Sequence, residues 1–406
     1  MKKINIFIKF KKKEQLLGQL VLDNRVVLFK YDRTYLVSGY NISPLKLKFD
    51  DRIQVCENQI FNGLFGVFAD SLPDAWGQLV WRKHLSTQGI ALETLSSLDK
   101  LSFVGENGLG ALIYRPAYVD NQPVEPVILD SIDRNIKEIL KGESSTIIDS
   151  LFLKGGSPGG ARPKIYIGYN SKTDALVYGN TVLEKDYEHW ILKFGANIDS
   201  PEMANIEMAY YYMALDAGLT MSESKLFVGK SGKKYFGTKR FDRINNKRLH
   251  MLSVSALVND DYERSQLDYG TLMQIGKELT KTAHTHEQIL RQAAFNIFAH
   301  NRDDHSKNFA FLMDEFGVWK FAPSYDLTFS SSSQGQHSTT CAGNGINPNT
   351  KELMELATHF SIKNGEEIIT KVKETIANWN FYANKAGVSK TTQKVIGKVL
   401  KSLIEL

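Results

Sequence analysis

The sequence contains few of the features that would place a protein in a membrane or in an oxidising compartment. Its 406 residues include only two cysteines, Cys56 and Cys341, too few for a disulfide framework or a structural zinc site. No segment approaches the roughly 20 apolar residues that span a bilayer. The start, MKKINIFIKFKKKEQ, lacks the apolar core and cleavage site of a signal peptide. We therefore expect a cytoplasmic protein with reduced thiols and no membrane partner.

The sequence also lacks a strong excess of charge of either sign. Its 50 basic and 45 acidic residues give a formal net charge of +5. Such a mildly basic surface suits nucleotides or an acidic partner but falls short of a dedicated nucleic-acid-binding protein. Hydrophobic residues make up 42% and charged residues 23% of the chain, as in ordinary globular proteins. The length allows two or three domains.

The residue patterns change along the chain and predict an α+β protein. Short alternating strands, followed by a helix near residues 73–84, indicate a small mixed β/α domain over residues 1–115. A polar stretch with several prolines predicts a connecting segment at 116–145. Alternating strands return in residues 146–250 and predict a lobe built on a sheet. Helical patterns dominate residues 251–406.

Two helices have recognisable ends or faces. Ser200 can cap the first, Pro201 suits its first position, and Gly218 can end it in a left-handed conformation. The second, THEQILRQAAFNIFAHN, has Ile289 and Ile297 on one face, which predicts a buried helix that leads directly into the polar stretch after it.

That polar stretch is HNRDDHSKNFAFL, residues 300–312, in which many ionisable side chains stand beside an apolar run. Phosphoryl transfer requires a base for the acceptor hydroxyl, ligands for magnesium and a cation on the phosphates. Asp303 and Asn308 have the spacing of the protein-kinase catalytic loop, in which the aspartate is the base and the asparagine binds metal. Asp303 is therefore the predicted base, and Asn308 a predicted metal ligand.

Two further residues follow the order found in kinases. Asp326, in YDLT, stands where kinases have Asp-Phe-Gly, and with Asn308 it would suffice for magnesium beside phosphate and water. Lys193, in the apolar strand HWILKFG, is the predicted cation for the phosphates. Taken singly, Asp303 could solvate a loop, Lys193 could reach solvent from an edge strand, and Asp326 could be a turn residue. The order and spacing of the four residues together favour a kinase site.

A glycine-rich segment, GGSPGGARPK (residues 155–164), precedes a predicted strand. Its four glycines, including Gly159 and Gly160, allow backbone N–H groups to close around an anion, and Lys164 adds a cation. A turn without function is the simpler alternative. The segment lacks the Gly-Lys-Ser/Thr ending of a Walker A sequence, which argues against a P-loop NTPase.

These segments resemble the HipA family of serine/threonine protein kinases, the toxins of bacterial toxin–antitoxin pairs, over nearly the whole chain. SLPDAWGQ (71–78) and FVGENGLGAL (103–112) are similar to the family's N-terminal domain, GGSPGGARPK to its phosphate-binding loop and RFDR (240–243) to a shared core element. The most specific match is NRDDHSKNF followed by YDLT. The resemblance implies an N-terminal domain followed by a protein-kinase-like bilobal core with a mostly helical C-terminal lobe.

The resemblance also implies roles for individual residues. Lys193 would contact the ATP phosphates, and Glu207 would pair with that lysine. Asp303 would be the catalytic base, and Asn308 and Asp326 would bind magnesium. Family members can be inactivated by autophosphorylation of the serine that matches Ser157, after which the loop leaves the ATP site. A phosphoserine carries about −1.5 to −2 charges, enough to be repelled by nucleotide phosphates. His305 lies inside the catalytic loop, where we expect it to help hold Asp303 by a hydrogen bond.

The partners implied are a HipB-like helix-turn-helix antitoxin, DNA only through that antitoxin, and a protein substrate such as an aminoacyl-tRNA synthetase. The expected activity is growth arrest by phosphorylation that depends on ATP and Mg²⁺. Two other functions share some of these features. A small-molecule kinase of the aminoglycoside-phosphotransferase kind uses the same Asp…Asn…Asp chemistry but has no counterpart of residues 1–115. A catalytically silent co-repressor would not need the intact set Lys193, Asp303, Asn308 and Asp326.

Overall fold

The N-terminal part of the chain folds around a five-stranded antiparallel sheet in the order β4-β3-β2-β1-β5. A computed structural model describes residues 1–118, 125–143, 147–153, 159–179, 182–196, 199–331 and 335–405. The elements of this part are β1 (Lys2–Ile8), β2 (Gln15–Asp23), β3 (Val26–Tyr31), α1 (Arg33–Ser38), β4 (Gln54–Val55), α2 (Gly66–Ala69), α3 (Ala75–Thr87), α4 (Ser97–Val104) and β5 (Leu112–Arg115). Alternate residues of β1, namely Ile4, Ile6 and Ile8, are buried, as the period of two along a strand requires.

A second five-stranded antiparallel sheet, in the order β7-β6-β8-β10-β9, forms the next lobe. The elements of this region are α5 (Leu129–Leu140), α6 (Ile148–Leu153), β6 (Lys164–Asn170), β7 (Ala175–Tyr178), β8 (Glu188–Lys193), α7 (Met203–Asp216), β9 (Ser224–Val228), β10 (Lys234–Lys239), β11 (Arg243–Ile244) and β12 (Lys247–Arg248). In and just after β8, Trp190, Leu192 and Phe194 are buried on one face, as the alternation in the sequence predicts.

Helices make up most of the remaining chain, around a three-stranded sheet in the order β13-β14-β15. The elements are β13 (His250–Ser253), α8 (Val254–Val258), α9 (Tyr269–Thr280), α10 (His284–Phe298), β14 (Ala310–Met313), β15 (Trp319–Phe321), α11 (Thr350–His359), α12 (Gly365–Ala377), α13 (Trp379–Ala386) and α14 (Lys390–Ile404). Ile289 and Ile297 are buried on α10, as predicted. The α+β class predicted from the sequence is confirmed.

Two local features differ from the sequence patterns. The segment predicted to be a connection contains the twelve-residue helix α5. Helix α7 has Glu202, not Ser200, at its N-cap, and the hydroxyl of Ser200 instead accepts a hydrogen bond from the Glu202 N–H at 3.2 Å. The other end is as predicted, because Gly218 follows the helix with a φ of +85°.

The two cysteines are buried free thiols, as expected of a chain without a disulfide framework. In the part of the chain that the structure describes, no helix combines the length and apolar character needed to cross a membrane.

The RFDR segment joins the N-terminal sheet region to the rest of the chain through buried charges. Arg240 donates to both carboxylate oxygens of Asp242, at 2.9 and 2.8 Å. Arg243 donates to the carbonyls of Gly110 and Gly108 at 2.8 and 3.0 Å, and the Gly110 N–H donates to Asp242 at 2.8 Å. Because these ionic side chains are almost fully buried, they depend on one another and on the 108–110 backbone for their hydrogen bonds.

Candidate active site

A cavity of about 480 Å³ opens where the N-terminal part, the second sheet and the helical region meet. Ligand pockets commonly have volumes of about 300–1,000 Å³. The predicted site residues that line the cavity are Gly159, Gly160, Lys164, Lys193, Glu207, Asp303, His305, Asn308 and Asp326. The structure therefore brings together every predicted site residue that it describes. Ser157 lies outside the described residues.

Lys193 stands at the end of β8, an inner strand of its sheet, which excludes the edge-strand explanation of this lysine. Its Nζ lies 3.0 Å from Oε2 of Glu207 on α7 and also pairs with Asp326. Burial alone would lower the pKa of Lys193, but the carboxylates of Asp326 and Glu207 raise it above its ordinary value. The ammonium group therefore stays charged inside the cavity.

Lys164 is the direct neighbour of Lys193 across the β6–β8 pairing. Its Nζ lies 3.9 Å from Oδ2 of Asp326, and burial lowers its pKa. Although burial would raise the pKa of Asp326, Lys164 and Lys193 hold it far below the usual range of a carboxyl group. Lys164, Lys193 and the ionised Asp326 thus form a compact charged cluster that lines the cavity.

The end of the glycine-rich segment needs glycine for two different reasons. Gly160 has a φ of +97°, a backbone conformation that L side chains rarely adopt. A Cβ atom at Gly160 would also lie 2.5 Å from Nζ of Lys164, and one at Gly159 would lie 2.9 Å from Oδ2 of Asp74. Any side chain at these positions would push a charged group out of place.

The catalytic-loop motif begins just after α10, and its two adjacent aspartates have opposite surroundings. The side chain of Asp304 is fully buried and accepts hydrogen bonds from Tyr269 Oη at 2.7 Å and His337 Nδ1 at 3.0 Å. The side chain of Asp303 is 56% exposed. Of the two, only Asp303 can meet the hydroxyl group of an incoming substrate.

The rest of this loop is held by its own hydrogen bonds. Nδ2 of Asn308 donates to the carbonyl oxygen of Asp303 at 2.7 Å, which leaves the amide oxygen for other contacts. Nε2 of His305 lies 3.8 Å from Oδ1 of Asp303, beyond hydrogen-bonding distance. The hydroxyl of Tyr325 donates to the carbonyl of Lys307 at 2.7 Å, so the YDLT segment is tied to the catalytic loop beside Asn308.

The oxygen donors in the cavity suit magnesium better than a transition metal. Asn308 offers an amide oxygen and Asp326 a carboxylate, and magnesium typically takes one or two carboxylates and completes its shell with phosphate and water. Among the described residues, no three histidine, cysteine, aspartate or glutamate side chains are grouped so as to hold a metal ion. The residues present therefore fit an ion shared with a phosphate ligand rather than one held in a protein cage.

Other residues that line the cavity were not assigned a site role from the sequence, among them Asp70, Asp74, Tyr262 and Lys307. Asp70 and Asp74 come from the N-terminal part, far from the kinase-like motifs in sequence. Asp74 precedes a helix and would ordinarily be interpreted as its cap. In the sequence, SLPDAWGQ and the catalytic loop both resemble segments of the family. That resemblance does not predict that Asp74 contacts the catalytic loop.

Family models match most of the chain. The HipA N-terminal domain matches residues 9–115, and the HipA-like C-terminal domain matches residues 156–379. The chain belongs to the HipA family. A comparison with curated protein sequences found no match.

A solved structure agrees with this assignment at the level of the fold. One similar structure is HipA of Shewanella oneidensis MR-1, from a complex of a toxin–antitoxin system with HipB and its operator DNA. It has a TM-score of 0.73 and 16% identity, and the match covers 99% of this chain and 96% of that one. The proinflammatory kinase CtkA of Helicobacter pylori has a TM-score of 0.37 and 14% identity, over 54% of this chain and 87% of that one. This HipA-family chain thus has the N-terminal domain predicted from the sequence, followed by a HipA-like C-terminal domain.

Proposed function

We propose that the protein is an ATP- and Mg²⁺-dependent protein serine/threonine kinase. The observation that carries the proposal is that Lys193, Asp303, Asn308 and Asp326 line one cavity, although they are spread over more than a hundred residues of sequence. A lone aspartate or lysine has many structural explanations. Four residue types in the chain order of a kinase site, around a cavity of ligand size, are best explained by phosphoryl transfer.

Each of these side chains has a distinct part in the proposed reaction. Lys193, fixed by Glu207, and Lys164 would bind the phosphates of ATP. Asp303 would accept the proton of the substrate hydroxyl. The hydroxyl oxygen of the substrate would then bond to the γ-phosphorus of ATP, as the bond between that phosphorus and the leaving oxygen of ADP breaks. Asn308 and Asp326 would hold magnesium, which neutralises negative charge on the phosphates when it is bound.

We also propose that the kinase is the growth-arresting toxin of a toxin–antitoxin pair. Membership of the HipA family and the fold shared with a HipA crystallised with HipB and operator DNA support this role. The partner would be a HipB-like helix-turn-helix antitoxin that brings the kinase to DNA. The substrate would be a component of translation such as an aminoacyl-tRNA synthetase, and the compartment the cytoplasm.

The proposed organisation has four parts. These are an N-terminal domain over 1–115, a connecting segment over 116–145, a lobe with the glycine-rich loop and Lys193 over 146–250, and a helical lobe over 251–406. We propose inactivating autophosphorylation at Ser157, because Gly159 and Gly160, two and three residues farther along the same segment, line the cavity. Incubation with ATP and Mg²⁺ should add one phosphate to the wild-type protein but none to Ser157→Ala, as measured by intact mass.

The experiment that tests the main proposal is phosphate transfer by the purified protein. Wild-type protein and an Asp303→Ala variant are incubated with γ-labelled ATP, Mg²⁺ and a bacterial extract, and labelled proteins are identified by mass spectrometry. We expect labelling of serine or threonine by the wild type only. Equal labelling by the two proteins, or label found only on small molecules, would overturn the assignment as a protein kinase. Growth arrest on induction should disappear in the same variant.

A further inference from the structure

Asp74 occupies the N-cap position of α3 but does not cap that helix. Its backbone is extended, with φ −83° and ψ −166°, as for an ordinary N-cap residue, yet its side chain accepts no hydrogen bond from the first turn. An aspartate at this position normally accepts one from an N–H two or three residues later, a contact worth about 1 kcal/mol. The carboxylate of Asp74 therefore has its partners elsewhere.

These partners belong to the two loops that form the candidate kinase site. Oδ1 of Asp74 pairs with Nζ of Lys307 in the catalytic loop and lies 3.4 Å from the hydroxyl of Tyr262. Oδ2 accepts a hydrogen bond of 2.5 Å from the N–H of Gly160, at the end of the glycine-rich segment. Nζ of Lys307 also lies 4.9 Å from the centre of the Tyr262 ring. One carboxylate from the N-terminal part thus joins both loops.

The contact between Asp74 and Lys307 is not an ordinary surface salt bridge. The side chain of Asp74 is 9% exposed and that of Lys307 is 16% exposed. Burial alone would raise the pKa of Asp74, but Lys307, the Gly160 N–H and Lys164 lower it, so the carboxylate is ionised at neutral pH. Removing one partner would leave the other charge largely desolvated, and buried pairs of this kind are costly to break.

A second residue of the same helix holds the same segment. Nε1 of Trp76 donates to the carbonyl oxygen of Lys164 at 3.1 Å, and Trp76 is buried. Together, Asp74 and Trp76 fix the backbone at Gly160 and at Lys164, four residues apart. The first turn of α3 therefore sets where Lys164 enters β6.

The chain that leads into the glycine-rich segment is also held by α3. His84 Nδ1 lies 2.7 Å from Oδ1 of Asp149 on α6, and the His84 ring stacks on Phe152 with ring centres 3.9 Å apart. Trp81 packs against Phe152 with ring centres 6.2 Å apart. Helix α3 consequently contacts the chain on both sides of residues 154–158, which lie outside the described residues.

We propose that Asp74 is a positioning residue for phosphoryl transfer, which holds Gly160 of the glycine-rich segment and Lys307 of the catalytic loop at a fixed separation. The inference rests on the proposed kinase function and extends it. If Asp74 has this role, the candidate active site is complete only when the N-terminal part of the chain is in place. Small displacements of reacting groups cost rate steeply, about 100-fold for a shift of about 1 Å. The opposite interpretation is that the Asp74 carboxylate competes with the phosphates of ATP for Gly160 and the lysines.

The test uses full-length Asp74→Ala and Asp74→Asn, with Asp51→Asn as a matched control. Asp51 is in the same N-terminal part, is largely exposed and pairs with the exposed Arg33 at 3.5 Å. Asn at position 74 keeps an acceptor for the Gly160 N–H but loses the charge that faces Lys307. Two readouts are measured: hydrogen exchange of peptides covering residues 159–164 without nucleotide, and kcat and KM for ATP.

We expect exchange at Gly160 to be about tenfold faster in Asp74→Ala than in the wild type. We also expect kcat/KM to fall about 100-fold, with KM for ATP raised and kcat lowered. Asp74→Asn should be intermediate, and Asp51→Asn should match the wild type. A purely structural role would lower the melting temperature but leave KM of the folded protein unchanged. Tighter ATP binding in Asp74→Ala would support competition and overturn the proposal.

The Lys307→Met substitution provides a further test of the positioning role. If Asp74 acts through Lys307 and Gly160, then Asp74→Ala/Lys307→Met should lose no more activity than Asp74→Ala alone, because residues that act as a unit are not additive. Losses that multiply would contradict the proposal. Failure of the kinase assignment is distinguishable, since the wild type would then transfer no more phosphate than Asp303→Ala, whereas the exchange readout needs no activity. An exchange rate at Gly160 that is the same in all variants would also overturn the positioning role.

Discussion

Lys193 and Glu207 form a buried ion pair, 3.0 Å from Nζ to Oε2, between the end of an inner strand and the helix that follows it. Replacing Lys193 with Met should abolish phosphoryl transfer and lower the free energy of unfolding by about 3 kcal/mol, because the charge of Glu207 is left buried and unpaired. Urea unfolding and the kinase assay measure the two effects separately.

The double variant Lys193→Met/Glu207→Gln serves as the control for this pair. It also removes the charge of Glu207, so part of the lost stability should return, while Asp326 keeps Lys164 as a cationic neighbour and activity stays absent. Recovery of activity in the double variant would show that Lys193 has no role with the phosphates.

The adjacent residues Asp303 and Asp304 allow catalysis and stability to be separated with the same substitution. Asp303→Asn should reduce kcat by about 1,000-fold and change the free energy of unfolding by less than about 0.5 kcal/mol, because the side chain is exposed. Asp304→Asn should destabilise the protein by about 2–3 kcal/mol, since the buried acceptor loses charge-assisted hydrogen bonds. Equal effects of the two variants on stability would contradict the different surroundings described above.

Gly160→Ala should weaken ATP binding because the new methyl group would displace the ammonium group of Lys164. Gly89→Ala is a suitable control. Gly89 also has a positive φ, +72°, but a Cβ atom there would meet nothing within 4 Å. Both variants should lose about 1 kcal/mol of stability from backbone strain. Only Gly160→Ala should raise the dissociation constant for ATP, as measured by calorimetry, and an unchanged constant would remove Lys164 from the phosphate site.

His250 predicts a loss of stability in mild acid. Nε2 of this buried histidine on β13 donates to the carbonyl of Ile42 in the N-terminal part at 2.9 Å, and burial lowers its pKa from 6.5 to about 4. Because the folded pKa lies below the unfolded value, the unfolded chain binds more protons between these pH values. The stabilisation is therefore present above pH 6.5 and is lost as the pH falls to about 4.

The loss attributable to His250 over this range should be about 3 kcal/mol. Free energies of unfolding in urea, measured at several pH values, should fall less steeply for His250→Asn than for the wild type. His284→Asn provides the control, because His284 is largely exposed. An identical slope for the wild type and His250→Asn would contradict the prediction.

Local patterns in the sequence predicted the burial of side chains correctly where a single physical cause decides that burial. The burial of Ile289 and Ile297 follows from helical spacing, and the inward face of β8 follows from alternation. Motif order also predicted that Lys193, Asp303, Asn308 and Asp326 would lie together, and these residues line one cavity. The predicted N-cap of α7 was wrong, because a Ser-Pro pair can form a turn that precedes a helix as well as cap the helix itself.

The contribution of the N-terminal part to the site could not be predicted in the same way. Asp74 has the sequence context of a helix cap, and only tertiary packing decides that its carboxylate faces Gly160 and Lys307 instead. Likewise, nothing local distinguishes Asp303 from Asp304. Their difference in burial depends on Tyr269 and His337, which contact Asp304 and lie 35 and 33 residues from it in the chain.

The buried RFDR network limits which N-terminal domains could replace the present one on this core. Arg243 depends on the carbonyl oxygens of Gly108 and Gly110, and Asp242 depends on the Gly110 N–H. A recombinant gene that joined a foreign N-terminal domain to this core would therefore have to preserve the backbone path at residues 108–110, or leave arginine donors buried without acceptors. A chimera that folds should consequently keep the backbone path at residues 108–110 together with Arg-Phe-Asp-Arg, as one unit.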